Sequence, residues 1–479
     1  MATEFSNSRS GEYELLHDAY YGSGMFANGS AITAHTRESS QSIRFRRSIA
    51  YYLNYTGPIL NASVDPIFKD DIKREYNKSQ MFDEFLHNVD RQGTTLQEFI
   101  RQNATMAKLY GVMYIVVDNV SEFGETLADN LSSRNMPYLT AVEPKNVANY
   151  EFDDSGKLKS FSYTSNLFNS DGSKITRMHT WTPNSWVIKE LGGKVIASGE
   201  HNIGRIPIVQ WFGRASRKID MLPPPEFLSI AKTNAHVYNL GSLLSQILYN
   251  QTFSILTMPV DHNGLQDITI GTDNLLGYPA ESNKAPDYIA PDKGPAEVLM
   301  AQIDKLINEM YRMSGIDSVI GVQQAKSGVA KQWDFERTNQ RLSDFSVQCE
   351  EAEKDIIELY KLWSNDHVNY KCEYPRDFKV NDVTESLTQA QQAKDLEFES
   401  STFDIEILKR VLDSYMPNLD KKVKDSIIGE AEKSAAEREQ DIANSKLDLD
   451  NPLGDDDGEP NNEPNNEPNN EPNNEPNAE

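Results

Sequence analysis

Residue types able to do chemistry are present in this chain, but their spacing defeats most of the chemistry they could do. Gly321-Val-Gln-Gln-Ala-Lys326-Ser327 offers a glycine, a lysine and a hydroxyl in the order of a phosphate-binding loop. Such a loop needs a second glycine where Ala325 stands, one more residue before the lysine and a strand leading in, so that backbone N–H groups can close around phosphate oxygens. The histidines at 17, 35, 87, 179, 201, 236, 262 and 367 never pair at the spacing of metal ligands. Asp455-Asp-Asp-Gly458 lacks the remainder of a calcium loop. Arg44, Arg46 and Arg47 could touch phosphate; a solvated face or an acidic neighbour explains them more simply. Cys349 and Cys372 are the only cysteines, which excludes a disulfide framework and points to a reducing compartment. The expectation is a chain with no catalytic centre, no metal and no cofactor, and not an enzyme.

Composition bounds the rest. The 479 residues suffice for two to four domains, and the 38% hydrophobic content is low for a compact enzyme. The net charge is −26, of which the segment from Leu447 to Glu479 supplies −11 with no Lys or Arg. The remaining −15 argues against a sequence-specific grip on nucleic acid, while leaving room for a surface past which DNA slides. Met1 to Ser42 has no apolar run of the secretory kind, and the longest apolar stretch, Val112 to Val117, is too short to span a bilayer. A soluble intracellular protein is expected.

The strongest pattern is a seam in three-four alternation: Phe335, Thr338, Leu342, Phe345, Cys349, Ala352, Ile356, Leu359 and Trp363, flanked by charges that include Arg341, Glu350 and Glu353. Twenty-nine residues at helical rise make a rod of roughly 43 Å. Such a seam asks for a partner helix, from this chain or from a second copy. A second seam, Phe227, Ile230, Asn234, Val237, Gly241, Leu244 and Leu248, follows the prolines 223 to 225 on an almost uncharged stretch. Pro295 opens a third helix carrying Leu299, Ile303, Leu306, Met310 and Met313, and Gly315 ends it. Between these two lies a Gly-, Pro- and Asn-rich insert, 253–294.

Upstream, the first 40 residues are expected to be a flexible arm. A helix from Ser42 to Ile67 should break at Gly57-Pro58, followed by a helix at Met81 to Val89 and another opened by Thr94 or Thr95 with Glu98 as the capping acid. Val112 to Val117 is a buried strand. Tyr138 to Trp211 alternates with period two between turns at Asp154, Asp171, Pro183 and Gly192, the pattern of a β-meander rejoined to the core by a strand at Ile206 to Trp211. Downstream, Tyr370 to Tyr374 is a strand, and three shorter helices fall near 384–399, 403–415 and 419–439. The repeat Glu-Pro-Asn-Asn from Glu459 onward cannot build a core and predicts disorder over 446–479. The fold class is α+β, mainly helical.

Taken in order, these pieces resemble the portal proteins of tailed bacteriophages. Arg44 to Ile67, Asp90-Arg-Gln-Gly-Thr-Thr-Leu-Gln-Glu-Phe99 and Tyr110-Gly-Val-Met-Tyr-Ile-Val-Val-Asp118 are similar to the family's wing; Pro144 to Tyr150 and Gly204-Arg-Ile-Pro-Ile-Val209 to its central strands. Ser327-Gly-Val-Ala330 resembles the start of its tunnel helix, and Tyr374-Pro-Arg-Asp-Phe378 its C-terminal part. The resemblance implies a wing at 40–224, stem helices at 225–252 and 295–314, a clip at 253–294, a tunnel loop at 315–327, a tunnel helix returning to the wing at 328–383 and a crown at 384–445. It implies a homo-oligomeric ring, a dodecamer in the family, at one capsid vertex of the virion, assembled in the host cytoplasm. Double-stranded DNA would pass through it without sequence preference during packaging and ejection. The terminase large subunit, the head-tail adaptor and the major capsid or scaffolding protein would be its partners, with no membrane. Gly315, Gly321, Val322, Gln323, Gln324, Lys326 and Gly328 would form the loop at the DNA channel. Phe335, Leu342, Phe345, Cys349, Ile356, Leu359, Trp363, Val237, Gly241 and Leu244 would serve subunit or helix packing. The competing readings are another phage head or head-tail adaptor protein and, further off, a packaging enzyme, which would need the phosphate loop or metal carboxylates missed above.

Overall fold

The computed structural model describes residues 9–119, 133–190, 192–251, 255–260, 275–279, 285–289, 292–315, 328–378, 390–393, 400–416 and 421–449, with single positions 388, 395 and 419. The helices are α1 (Ser10–Tyr21), α2 (Gly24–Ala27), α3 (Ser40–Ile49), α4 (Thr56–Ala62), α5 (Gln80–His87), α6 (Leu96–Tyr110), α7 (Leu228–Gln251), α8 (Gly294–Ser314), α9 (Gly328–Ser364), α10 (Ser401–Tyr415) and α11 (Lys421–Leu449). The strands are β1 (Lys73–Glu75), β2 (Val112–Asp118), β3 (Tyr138–Val142), β4 (Val147–Phe152), β5 (Leu158–Phe168), β6 (Lys174–Trp181), β7 (Ser185–Glu190), β8 (Val195–Glu200), β9 (Ile208–Phe212), β10 (Ile255–Val260), β11 (Leu275–Pro279), β12 (Asp287–Ile289) and β13 (Lys371–Glu373). The chain is a mixed α and β protein in two compact units, residues 1–378 and 379–479.

Strand β2 organises the first unit. It lies between β3 and β9, antiparallel to both. Its near-continuous apolar run is buried on both faces. Met113, Ile115 and Val117 face a helical core, while Val112, Tyr114 and Val116 face a second core built with Val147, Phe161, Tyr163 and Trp181 of the five-stranded meander β4-β5-β6-β7-β8. Period-two alternation therefore divides one strand between two cores. Helix α6 feeds β2 with the expected caps: the Thr95 hydroxyl accepts from the Glu98 N–H at 3.3 Å, and Gly111 closes the helix at φ 83°.

The long helix α9 lies across this sheet. Thr338, Leu342, Phe345, Cys349, Ala352, Ile356 and Leu359 are all buried, and the half-buried Trp363 donates its indole N–H to the Val117 carbonyl at 2.7 Å. The surfaces that cover them are strands β2 and β9, helix α6 and strand β13 of the same chain. The seam thus meets a sheet where a facing helix was expected. Ile357 and Tyr360 are buried as well, and they widen the stripe enough to lie on a sheet's flatter surface.

Three further expectations are corrected. The N-terminal segment is no flexible arm from Ser10 on: Tyr13, Leu16 and Ala19 of α1, then Phe26 and Ile32, are buried in the helical core. Their three-residue spacing was hidden by a Ser- and Gly-rich composition. Gly57-Pro58 does not break a helix; it sits in the first turn of α4, where proline's missing N–H costs nothing. The break falls instead at Ala50–Tyr55. Helix α11 runs on to Leu449, past the expected start of the tail; positions 450–479 lie outside the described residues.

Helix α7 is most deeply buried toward its first half, with Ser242 the one buried residue beyond it among the described side chains. Phe227, Ile230, Asn234 and Val237 pack under α1, α3 and α4, Gly241 and Leu244 are half-buried, and Leu248 is 51% exposed. Helix α8 runs along α7. Between the two in sequence, β10 pairs with β11 in parallel and with β12 antiparallel. In the second unit, α10 and α11 pack on each other.

Candidate functional site at the junction of two long helices

The end of α8, where it meets the body of α9, forms the best-defined arrangement near any of the expected site residues. Gly315 stops α8 in the left-handed conformation, φ 69°, and its N–H bonds to the carbonyls of Tyr311 and Arg312, both at 3.2 Å. The helix's last carbonyls are then taken by α9. Thr338 Oγ1 donates to the Gly315 oxygen at 2.7 Å, and Arg341 Nη1 donates to the Ser314 oxygen at 2.5 Å. The positive φ favours glycine at 315, and a Cβ there would displace the Arg341 guanidinium from its place against the helix end. A cation at the C-terminal end of α8 also suits the helix dipole.

Beneath the junction lies a small charged layer. Lys108 Nζ pairs with Glu226 Oε2 at 2.9 Å, donates to the Gly213 oxygen at 3.2 Å and sits 5.0 Å above the Phe345 ring. Burial works to raise the Glu226 carboxyl, but Lys108, with Arg341 and Arg214 beyond it, outweighs that and holds it below the ordinary range. A cavity of about 20 Å³ separates this layer from Ser314, Thr338 and Arg341, room for a single water. The arrangement anchors the C-terminal end of α8 to α9 and, through Lys108 and Glu226, to the sheet-bearing body; it holds no nucleophile beside a base.

Of the expected loop residues, Gly315 closes α8 and Gly328 begins α9, while Gly321, Val322, Gln323, Gln324 and Lys326 lie outside the described residues, as do the side chains of 328–335, Phe335 among them. The resemblance to a phosphate loop at 321–327 falls there too. Phe345, Cys349, Ile356 and Leu359 are brought together in the first unit's helical core, Leu342 is buried against the small cavity at the junction, and Val237, Gly241 and Leu244 lie on α7.

Two polar nodes escaped the sequence reading. Glu353, a flank charge by pattern, is fully buried; it takes two hydrogen bonds from Arg74, at 2.8 and 2.9 Å, one from Tyr374 at 2.5 Å and one from Tyr370. Asn234, a polar residue inside an apolar seam, accepts through Oδ1 from the Tyr52 hydroxyl, the Tyr55 and Thr56 N–H groups and the Thr56 hydroxyl, and donates to the Leu53 oxygen. That position in the seam was the one signal available. Arg46 of the basic cluster does pair with an acid: it is 1% exposed, bonds Glu38 at 2.7 and 3.0 Å, and reaches Asn239 and Ser242 on α7. Among the described residues no three His, Cys, Asp or Glu side chains converge as metal ligands, and no helix is long and apolar enough to cross a membrane.

No protein-family model matches the sequence, and no curated protein matches it. Among solved structures, the one described as the neck of an empty GTA particle, computed with C6 symmetry, aligns with 85% of this chain and 98% of its own at 13% identity and a TM-score of 0.39.

Proposed function

We propose that this chain is a portal-type subunit: copies of it form a ring at one capsid vertex of a tailed phage or phage-like particle, around a channel for DNA. The observation that carries the reading is the path of the chain after residue 225. Two long helices, α7 and α8, run along each other with the small sheet β10–β12 between them in sequence. The end of α8 is tied to α9 by Thr338 and Arg341, and α9 then returns to the β2–β9 sheet. A stem, a protruding clip and a tunnel loop held on a rigid body would need such a path.

At the clip end of the helix pair, Leu248, Tyr249, Val298 and Met300 are 44–69% exposed, apolar surface that neighbouring copies would cover. The clip would meet the terminase and later the head-tail adaptor, and the wing would meet capsid or scaffolding protein. The body's negative charge suits a channel that holds DNA laterally by repulsion without binding it. No enzymatic step is assigned to the chain, and the purified protein should hydrolyse no ATP.

Negative-stain images of the purified chain test the reading. Rings with a central hole are expected; a monomer at all concentrations, or filaments without a hole, would overturn it.

A further inference from the structure

His201 follows β8 and is 5% exposed, the most buried histidine among the described residues. Its ring packs against two indoles, 5.7 Å from Trp181 of the meander and 5.6 Å from Trp363 of α9, centroid to centroid. Trp363 packs against both hydrophobic cores of the first unit, and its indole N–H is bonded to the Val117 carbonyl. The imidazole therefore joins the end of the meander to the side chain that the two cores share.

The ring's protonation state follows from its bonds. Nε2 lies 3.0 Å from the Thr182 oxygen, a carbonyl that can only accept, so Nε2 carries the hydrogen. Nδ1 is buried and has no partner. In the neutral ring it is a bare acceptor, a modest cost. A second proton would turn it into a buried charged donor facing nothing, a much larger one. An indole face attracts a cation, but both indoles are tilted to the imidazole, by 51° and 47°, and neither lies flat against it.

We propose that His201 is an acid-sensitive latch: the neutral ring closes the meander β4–β8 onto Trp363 of α9, and the protonated ring leaves that place and loosens the meander from the helix. The charged groups on the surrounding elements are Glu200 beside it, Lys361 on α9, His179 on β6, Asp118 at the end of β2, and Arg205 and Glu358, which pair with each other at 3.8 Å. The end of β7 nearest to it brings only Ser185 and Trp186. Burial, which favours the neutral ring, outweighs the Thr182 carbonyl, which favours the charged one, and holds His201 below its ordinary 6.5. A base depressed in this way stabilises fully above about 6.5, and that contribution is lost as pH falls below it. The latch lies within one chain and does not rest on the ring of copies proposed above.

Backbone hydrogen exchange of the full-length chain, at about pH 7.5 and about pH 5.5 and corrected for intrinsic rates, tests the latch. Protection of the β6–β8 amides should fall with acid by up to roughly tenfold per pH unit, while that of α6 changes little. His201→Gln keeps an amide donor for the Thr182 oxygen and takes up no proton, so it should flatten the acid response whatever it does to protection at neutral pH. His179 is the meander's other half-buried ring, stacked on Tyr163 at 4.8 Å and also held below its ordinary value, first by burial and then by Arg177. His179→Gln should leave most of the response in place. A response that survives His201→Gln, or that vanishes only in His179→Gln, would overturn the proposal, as would a parent chain with no acid response. The parent also answers without substitution: deuterium exchange at the His201 Cε1–H follows the ring's own titration. Its midpoint should lie below 6.5, and a midpoint at or above 6.5 would overturn the latch.

Discussion

Arg74 and Glu353 face each other in a fork-to-fork pair, Nε to Oε1 at 2.8 Å and Nη2 to Oε2 at 2.9 Å, with the carboxylate fully buried and the guanidinium 13% exposed. The pair joins β1 to α9 across 279 residues of sequence. Arg74 also donates to Gln97 on α6 at 2.5 Å, and Tyr370 and Tyr374 complete the carboxylate's shell from either side of β13. A buried charge with four donors tolerates its burial; the same charge with its cation removed does not.

Arg74→Ala should therefore destabilise the chain by about 3 kcal/mol or more, because Glu353 stays buried without a counter-charge. Adding Glu353→Gln to it should recover part of the loss, an amide being less costly to bury than a carboxylate. Urea unfolding of the two variants decides it. Equal midpoints for parent and Arg74→Ala would show the pair to be open to water.

Glu38 should make stability depend on acid. The Arg46 guanidinium bonded to it, aided by the His35 N–H and Ser42, outweighs burial and lowers its carboxyl from 4.5 to about 2. A carboxyl depressed in the folded chain stabilises fully above its unfolded value, and that contribution is lost as pH falls from about 4.5 toward 2. Unfolding midpoints taken at about pH 5 and about pH 3 should drop more steeply for the parent than for Glu38→Gln. Parallel profiles would mean that Glu38 and Arg46 are not paired in the folded chain.

What could be read from the sequence was what neighbouring residues decide among themselves. Thr95 with Glu98, Pro295 with Gly315 and the run Val112 to Val117 each carry their own capping or burial chemistry, and each marks an element within a residue or two. The α9 seam marked a buried face but not its cover, since apolar side chains in three-four steps fit a sheet as well as a helix. Tyr13, Leu16 and Ala19 were lost among Ser and Gly residues, which composition alone reads as loose chain. The site divided in the same way. Gly315 was legible as a helix stop; its bond from Thr338 spans 23 residues and depends on how α8 and α9 meet, which no local pattern encodes.

Both cysteines should be silent in the folded chain. Burial, then Glu353 and Glu350, push the Cys372 thiol up to about 12, and complete burial raises Cys349 further. The thiolate is the reactive form, so neither should react with Ellman's reagent near neutral pH until the chain unfolds, when two thiols should appear. A thiol titrating at the rate of free cysteine in the native chain would contradict the packing of β13 on α9.

The junction gives the prediction closest to function. Gly315→Ala forces a side chain into the left-handed region, at about 1–2 kcal/mol. It also sets a Cβ 2.2 Å from Arg341 Nη1, so the guanidinium must leave the Ser314 oxygen. Arg341→Ala removes the same bond from the other side. The two changes should therefore be less than additive when combined, by about the net strength of one charge-assisted hydrogen bond, roughly 1–2 kcal/mol. Strict additivity in a double-mutant cycle would mean that Arg341 does not cap α8. If the loop between these helices borders a DNA channel, loosening its anchor should leave ring formation intact and lower the length of DNA retained in assembled particles. Equal DNA content in Gly315→Ala and parent particles would separate the junction's structural part, which the cycle measures on its own, from any part in holding DNA.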